Sequence, residues 1–109
     1  MKTIARNICI GASFLAIAAM SALAADATAG KAVYDKCKTC HAADGNGNPG
    51  MAKALKVEIK PLSSPDIQAM SDADLKKVVS TGFGKMKPVT SVTGADLDNV
   101  IAYVRTFKK

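Results

Sequence analysis

Cys37-Lys38-Thr39-Cys40-His41 places two thiols three positions apart and an imidazole directly after the second. Each shorter reading of this segment lacks its context. A thioredoxin-like dithiol belongs to a βαβ unit, and no strand-like alternation of any length occurs in this chain. A zinc site usually wants a second pair of ligands, and His41 is the only histidine among 109 residues. A plain disulfide between Cys37 and Cys40, open to an exported protein, leaves His41 without a part. The whole C-x-x-C-H pattern serves covalent haem attachment, in which both thiols add across porphyrin vinyl groups and the adjacent histidine reaches the iron. Two sulfurs separated by two residues match the separation of the vinyl substituents, and the same turn of chain carries the imidazole beneath the ring.

Upstream of this segment the composition changes. Lys2 and Arg6 form a positive start, residues 8 to 20 are apolar, and Ala22-Leu23-Ala24 offers the small residues of a cleavage site. This predicts a secretory signal peptide over residues 1–24, a mature domain over 25–109 and a periplasmic location. No charge separates Arg6 from Asp26, a gap approaching the roughly 20 residues of a membrane helix, so an uncleaved anchor is the alternative; the short apolar region and the cleavage site favour removal. Arg6-Asn7-Ile8 lacks the small apolar residues that lipid attachment at Cys9 would need, so Cys9 leaves with the leader and only Cys37 and Cys40 remain. Two of the 15 basic residues and none of the 9 acidic ones precede Ala25, so removal lowers the net charge from +6 to +4. A modest surplus of this kind suits an acidic protein partner or an anionic membrane surface. Export and sparse aromatics argue against nucleic acid.

A haem iron held by one histidine has a sixth position, and the mature chain offers Met51, Met70 and Met86. Met51 follows the glycine-rich loop closely, and Met70 falls in a short helical turn after Ser64-Pro65; both read as core fillers. Met86 lies in Gly82-Phe83-Gly84-Lys85-Met86-Lys87-Pro88, where glycines and a proline forbid a regular helix and present a side chain from a loop. It is the better ligand candidate, with plain packing as its alternative.

Three helices are expected. Gly30, Val33, Tyr34 and Cys37 recur at helical spacing ahead of the motif. Ser71-Asp72-Ala73-Asp74 resembles a capping box, after which Leu75, Val78 and Val79 form a stripe ended by Gly82. Thr93-Gly94-Ala95-Asp96 repeats that start, and Leu97, Val100, Ile101, Val104 and Phe107 mark one face of a last helix. Asp44, Asn46 and Asn48 have a superficial calcium-loop spacing, but Pro49 replaces the turn glycine and Leu55 the bidentate acid; the segment reads as a solvated loop.

From about Asp26 to Lys109 the chain resembles a class I monohaem cytochrome c of the small soluble bacterial type. The likeness rests on Gly30 and Tyr34 ahead of Cys37-x-x-Cys40-His41, the loop Asp44-Gly45-Asn46-Gly47, Met86 followed by Pro88, and an aromatic-bearing terminal helix. Lys87 separates Met86 from the proline where many relatives have Met-Pro. The resemblance implies an all-α cytochrome c fold of three main helices and loops wrapped around one haem c. It further implies that the first and last helices cross near Gly30 and Tyr103, and that the Pro49 carbonyl accepts a hydrogen bond from the free ring nitrogen of His41.

With His41 and Met86 on both axial positions the iron has no open site, and methionine raises the potential. The expectation is a soluble, monomeric one-electron carrier rather than an enzyme, needing no catalytic acid, base or nucleophile. Its partners would be redox proteins such as a membrane-bound oxidase or a quinol–cytochrome c reductase, with no nucleic acid and no stable membrane insertion after leader removal. Lys31, Lys36, Lys38, Lys53, Lys56, Lys85 and Lys87 flank the haem-binding segments and could form a basic docking rim. The alternatives are a haem-entry subunit of a larger oxidoreductase complex and an open-site haem protein that binds a small gas or peroxide.

Overall fold

The structure is a computed structural model that describes residues 24–109; the expected leader lies outside the described residues as far as Leu23. Six short helices follow one another: α1 (Ala27–Val33), α2 (Lys38–His41), α3 (Pro49–Leu55), α4 (Pro65–Gln68), α5 (Asp72–Thr81) and α6 (Gly94–Arg105), with a 3₁₀ turn over Tyr34–Lys36 between the first two. Among the described residues no strand forms, and the one β-type contact is an isolated antiparallel bridge between Phe83 and Met86. No helix of the described residues is long and apolar enough to cross a membrane.

The all-α architecture agrees with expectation, but the helix inventory differs in two places. The single helix expected through Gly30, Val33, Tyr34 and Cys37 ends at Val33 and tightens, the Cys37 amide donating to the Tyr34 carbonyl at 2.8 Å. A 3₁₀ turn has three residues per turn, so it keeps Tyr34 and Cys37 on one face as an α-helix would. The second difference is α3, which falls where a solvated loop is expected. Asn48 is its N-cap, with Oδ1 accepting from the amides of Gly50 at 2.9 Å and Met51 at 3.3 Å, and Pro49 occupies the first turn. Proline tolerates that position because its missing N–H would be unpaired there anyway.

The later helices start and stop as their sequences dictate. Ser71 caps α5 through its hydroxyl, which accepts from the Asp74 amide at 3.1 Å, and Gly82 ends it at φ +80°. Thr93 stands at the N-cap of α6, although its side chain makes no capping bond. Along α6, Val100, Ile101 and Val104 are buried, and with Tyr34, Leu75 and Val92 they form the core. Val33, Cys37, Val79, Leu97, Tyr103 and Phe107 pack around it, half-buried.

The principal helix–helix contact is the crossing of α1 over α6, and Gly30 sets its closeness. A Cβ at residue 30 would overlap the Asn99 carbonyl and come within 3.0 Å of the Tyr103 Cβ. Asp26 closes the same junction: its carboxylate caps α1 at the Thr28 amide, 2.8 Å, and its own amide donates to Asn99 Oδ1 at 2.8 Å. Beside the crossing, Tyr34 packs against Tyr103 and Phe107 with ring centroids 5.1 and 5.5 Å away. Polar pins fasten the other end of α6. Arg105 donates from its guanidinium to the Gln68 carbonyl at 2.9 Å, the Met70 carbonyl at 2.6 Å and Asp72 Oδ1, holding the α4–α5 junction in place.

The obstruction at Gly30 is backbone, which cannot swing aside, so Gly30→Ala should force the two helices apart. Overpacking of this kind costs about 2 kcal/mol, which for a domain of this size lowers Tm by roughly 10 °C. Thermal unfolding of haem-loaded protein followed by far-ultraviolet circular dichroism reads the effect; an unchanged Tm would mean that the crossing is looser than its geometry.

Candidate functional site

The C-x-x-C-H segment closes on one carbonyl. Cys37 O accepts from the amides of Cys40 at 3.3 Å and His41 at 2.9 Å, so residues 37–41 wind into a single turn whose helical part is α2. Positions three and four apart in a helix share a face, which groups the sulfurs of Cys37 and Cys40 with the imidazole of His41. Both cysteines are unbridged and half-buried, and Cys37 packs against the core. Burial, and secondarily the neighbouring Cys40, push the Cys37 thiol above its usual range.

Burial lowers the pKa of His41, keeping the ring neutral near pH 7 with a lone pair free for a metal. Its Nδ1 is buried without a hydrogen-bond partner. The bond expected from the ring to the Pro49 carbonyl is therefore not made. Pro49 opens α3, and a carbonyl in the first turn points along the helix axis toward the amide four residues on.

Behind the imidazole the chain reverses sharply. Ala42 stands at φ +64°, ψ 164°, a region nearly reserved for glycine that costs a residue with a Cβ about 1–3 kcal/mol. Three tertiary bonds hold the backbone there. The Asn48 amide donates to Cys40 O at 2.8 Å, the Gly47 amide to His41 O at 2.9 Å, and the Tyr34 hydroxyl to Ala42 O at 2.6 Å. Tyr34 is fully buried, and desolvation by that burial lifts its pKa far above the usual range, so the hydroxyl remains a donor. The helical spacing of Tyr34 shows only a packing aromatic; the hydroxyl contact has no signal in the sequence, because alanine at residue 42 announces no reversal.

Met86 stands elsewhere, on a tight hairpin between α5 and α6. The Phe83 and Met86 backbones exchange two hydrogen bonds, Phe83 N to Met86 O at 2.9 Å and Met86 N to Phe83 O at 2.8 Å, leaving Gly84 and Lys85 as the turn. Gly82 admits this hairpin: at φ +80° a Cβ would sit 2.6 Å from Met86 O. The Met86 side chain is half-buried. Of the other methionines, Met70 packs at the edge of the core as expected, whereas Met51 lies half-buried on α3, outside the core cluster.

The structure thus brings Cys37, Cys40 and His41 together on one turn and presents Met86 from a separate loop. Two surface concavities occur elsewhere, one beside Asn48, Pro49 and Ile59 and one beside Met70, Val78 and Phe83; neither is lined by Cys37, Cys40, His41 or Met86. Asp44 and Asn46 bond to each other, Asn46 N to Asp44 Oδ1 at 3.0 Å, while Asn48 caps α3. Two unbridged thiols and an imidazole with a buried, unpaired ring nitrogen are a donor set that fits a covalently held haem.

Comparison with known proteins bears on the same point. Residues 25–104 match the family described as cytochrome C oxidase, cbb3-type, subunit III. No curated protein matches. Among solved structures the chain is similar to the KustC0563 c-type cytochrome, at 27% identity and a TM-score of 0.61, over 73% of this chain and 98% of that one. With that match across residues 25–104, the chain belongs to the cbb3-type cytochrome c oxidase subunit III family and is a small monohaem c-type cytochrome with covalently bound haem c.

Proposed function

We propose that this cytochrome is exported through a leader at residues 1–24 and works, as residues 25–109, as a periplasmic single-electron carrier. Its haem is attached through Cys37 and Cys40, and its iron is ligated by His41 and Met86. The observation that carries this reading is the single turn of Cys37, Cys40 and His41, closed on the Cys37 carbonyl, with an orphaned imidazole nitrogen beside two free thiols.

When bound, the haem supplies a one-electron ferric/ferrous couple. The protein's part is to hold both axial side chains still and to exclude water. On one side the carbonyls of Cys40, His41 and Ala42 are fixed by Asn48, Gly47 and Tyr34. On the other, the Phe83–Met86 hairpin fixes the backbone that carries Met86. A thioether ligand favours the reduced state and raises the potential. No group need move a proton, so a carrier rather than an enzyme is the fitting role.

Lys31, Lys36, Lys38, Lys53, Lys56, Lys85 and Lys87 are all exposed, as a docking rim for an acidic redox partner requires. Lys38 is tied to Asp35 at 2.6 Å and Lys36 donates to the Ser91 hydroxyl at 3.2 Å. A membrane-bound oxidase or a quinol–cytochrome c reductase fits this surface, met in brief encounters by a monomer. The family's name favours a second reading, a bound electron-entry subunit of an oxidase. Co-purification with a larger complex at physiological salt would select it over a diffusing shuttle.

Two substitutions test the site. Cys37→Ala with Cys40→Ala removes the attachment; a domain this small barely buries enough surface to fold alone and the haem supplies much of its core, so the helical circular dichroism should collapse. Cooperative unfolding with native helicity in that variant would show a self-sufficient core. Met86→Ala, in haem-loaded protein, should abolish the methionine-to-ferric-iron charge-transfer band, lower the potential and let the reduced protein bind carbon monoxide. A wild type that already lacks the band and binds carbon monoxide would instead point to an open sixth position.

A further inference from the structure

Ala42 is the residue directly after the imidazole, and its conformation is one that alanine does not adopt unaided. It stands at φ +64°, ψ 164°, where a Cβ is disfavoured, so something outside the local chain must hold it. The Gly47 and Asn48 amides hold the carbonyls of His41 and Cys40 at 2.9 and 2.8 Å, and the bonds of Ala42 itself are of two kinds. The Ala42 amide donates back to Lys38 O at 2.9 Å, as the end of any helical turn would, and the Gly45 amide reaches Ala42 O only at 3.2 Å. The short bond on that carbonyl is the 2.6 Å one from the Tyr34 hydroxyl, which comes from the preceding 3₁₀ turn and is anchored by a ring packed between Tyr103 and Phe107.

We propose that Tyr34 is a positioning residue for the axial histidine: its hydroxyl latches the Ala42 carbonyl, holds the strained reversal after His41, and so fixes the orientation of the imidazole plane against the haem. The inference rests on the reading of His41 as the iron ligand. The mechanical chain is short. Ala42 shares a peptide with His41, so relaxation of Ala42 to negative φ rotates that peptide and the Cα that carries the ring. The latch also couples the site to the α1–α6 crossing, because the side chain that fills the core beside Tyr103 is the one that donates to Ala42.

Replacing tyrosine by phenylalanine at residue 34 keeps the ring in its aromatic cluster and removes only the donor. Glycine at residue 42 adopts the observed dihedral angles without strain, so it makes the latch unnecessary. A core-filling role and a positioning role therefore separate in a three-variant comparison: Tyr34→Phe, Ala42→Gly and the double variant.

The readout is the proton spectrum of the haem-loaded ferric full-length protein, in which the hyperfine shifts of the four haem methyl groups report the orientation of the axial imidazole plane. Tyr34→Phe should change the order or spacing of those resonances, Ala42→Gly alone should leave them near wild type, and the double variant should return the Tyr34→Phe pattern toward wild type. A Tyr34→Phe protein that keeps the wild-type methyl pattern and loses only thermal stability overturns the proposal. So does a double variant that fails to restore the pattern. Should Tyr34→Phe not accumulate, the double variant decides: recovery of haem-loaded protein with the wild-type pattern supports the latch, and continued failure overturns it. Failure of the ligand reading shows earlier and separately, in a wild-type spectrum whose hyperfine-shifted imidazole protons do not assign to His41, and it overturns the latch with it.

Discussion

The ring of Tyr34 is fully buried beside the crossing of α1 and α6, against Tyr103 and Phe107, while its hydroxyl reaches out of that cluster to the Ala42 carbonyl. Both ends of this side chain are constrained. The ring can sit there only because Gly30 lets α1 press onto the Asn99 backbone, and the hydroxyl finds its acceptor only because the chain reverses immediately after His41. A buried hydroxyl without a partner would cost about 1–3 kcal/mol, so the core and the reversal specify each other. The proposed attachment turn is thereby fastened to the most closely packed part of the molecule rather than to its loops.

Away from that cluster the domain relies on polar pins. None of the buried apolar side chains lies between Cys37 and Gln68, and that stretch is tethered by hydrogen bonds: Leu62 N to Gly45 O at 2.8 Å, and Gln68 Nε2 to the carbonyls of Leu62 at 2.8 Å and Val104 at 3.1 Å. Arg105, the next residue of α6, repeats the device. Hydrogen bonds of this kind give about 1 kcal/mol each, and they fix where a segment lies without contributing hydrophobic area. A short domain that organises about a third of its described length in this way needs a large apolar body to close around, and covalently attached haem c is one.

Much of this organisation is legible in the sequence where a local signal and the tertiary structure agree. Ser71 and Gly82 bracket α5, and the stripe from Val100 to Val104 forms the buried face of α6; the crossing at Gly30 is implied by the family resemblance rather than by a local signal. The turn over residues 37–41 is marked for a different reason: covalent haem chemistry demands the C-x-x-C-H spacing of Cys37, Cys40 and His41, and the structure winds them into one turn. Three features escape. The 3₁₀ turn escapes because a separation of three residues, Tyr34 to Cys37, satisfies both helix types. Helix α3 is hidden by the glycines at residues 45, 47 and 50, although Asn48-Pro49 is a cap followed by a first-turn proline and carries the signal. The Ala42 reversal leaves no trace, since it is held by the Tyr34 hydroxyl and the Gly47 and Asn48 amides and alanine is silent about φ.

The two sides of the proposed haem site are built on unlike principles, and the difference bears on which would yield first. On the His41 side, three consecutive carbonyls are held by three different partners, one of them a buried side chain of the core. On the Met86 side, the hairpin closes on itself through Phe83, its approach permitted by Gly82, and its neighbour Phe83 is three-quarters exposed. Beyond the hairpin the chain is tied back by the Val89 amide on the Val79 carbonyl at 2.8 Å and by Lys36 on the Ser91 hydroxyl at 3.2 Å. A segment with few buried contacts and self-contained hydrogen bonds opens at lower free energy than one pinned to the core. Ligand exchange should therefore begin by departure of the thioether, with the hairpin swinging as a unit, while the thioether bonds to the cysteines and the latched turn keep the imidazole in register. Rigidity is concentrated on the proposed attachment side, and the adaptable side is the one that carries Lys85 and Lys87.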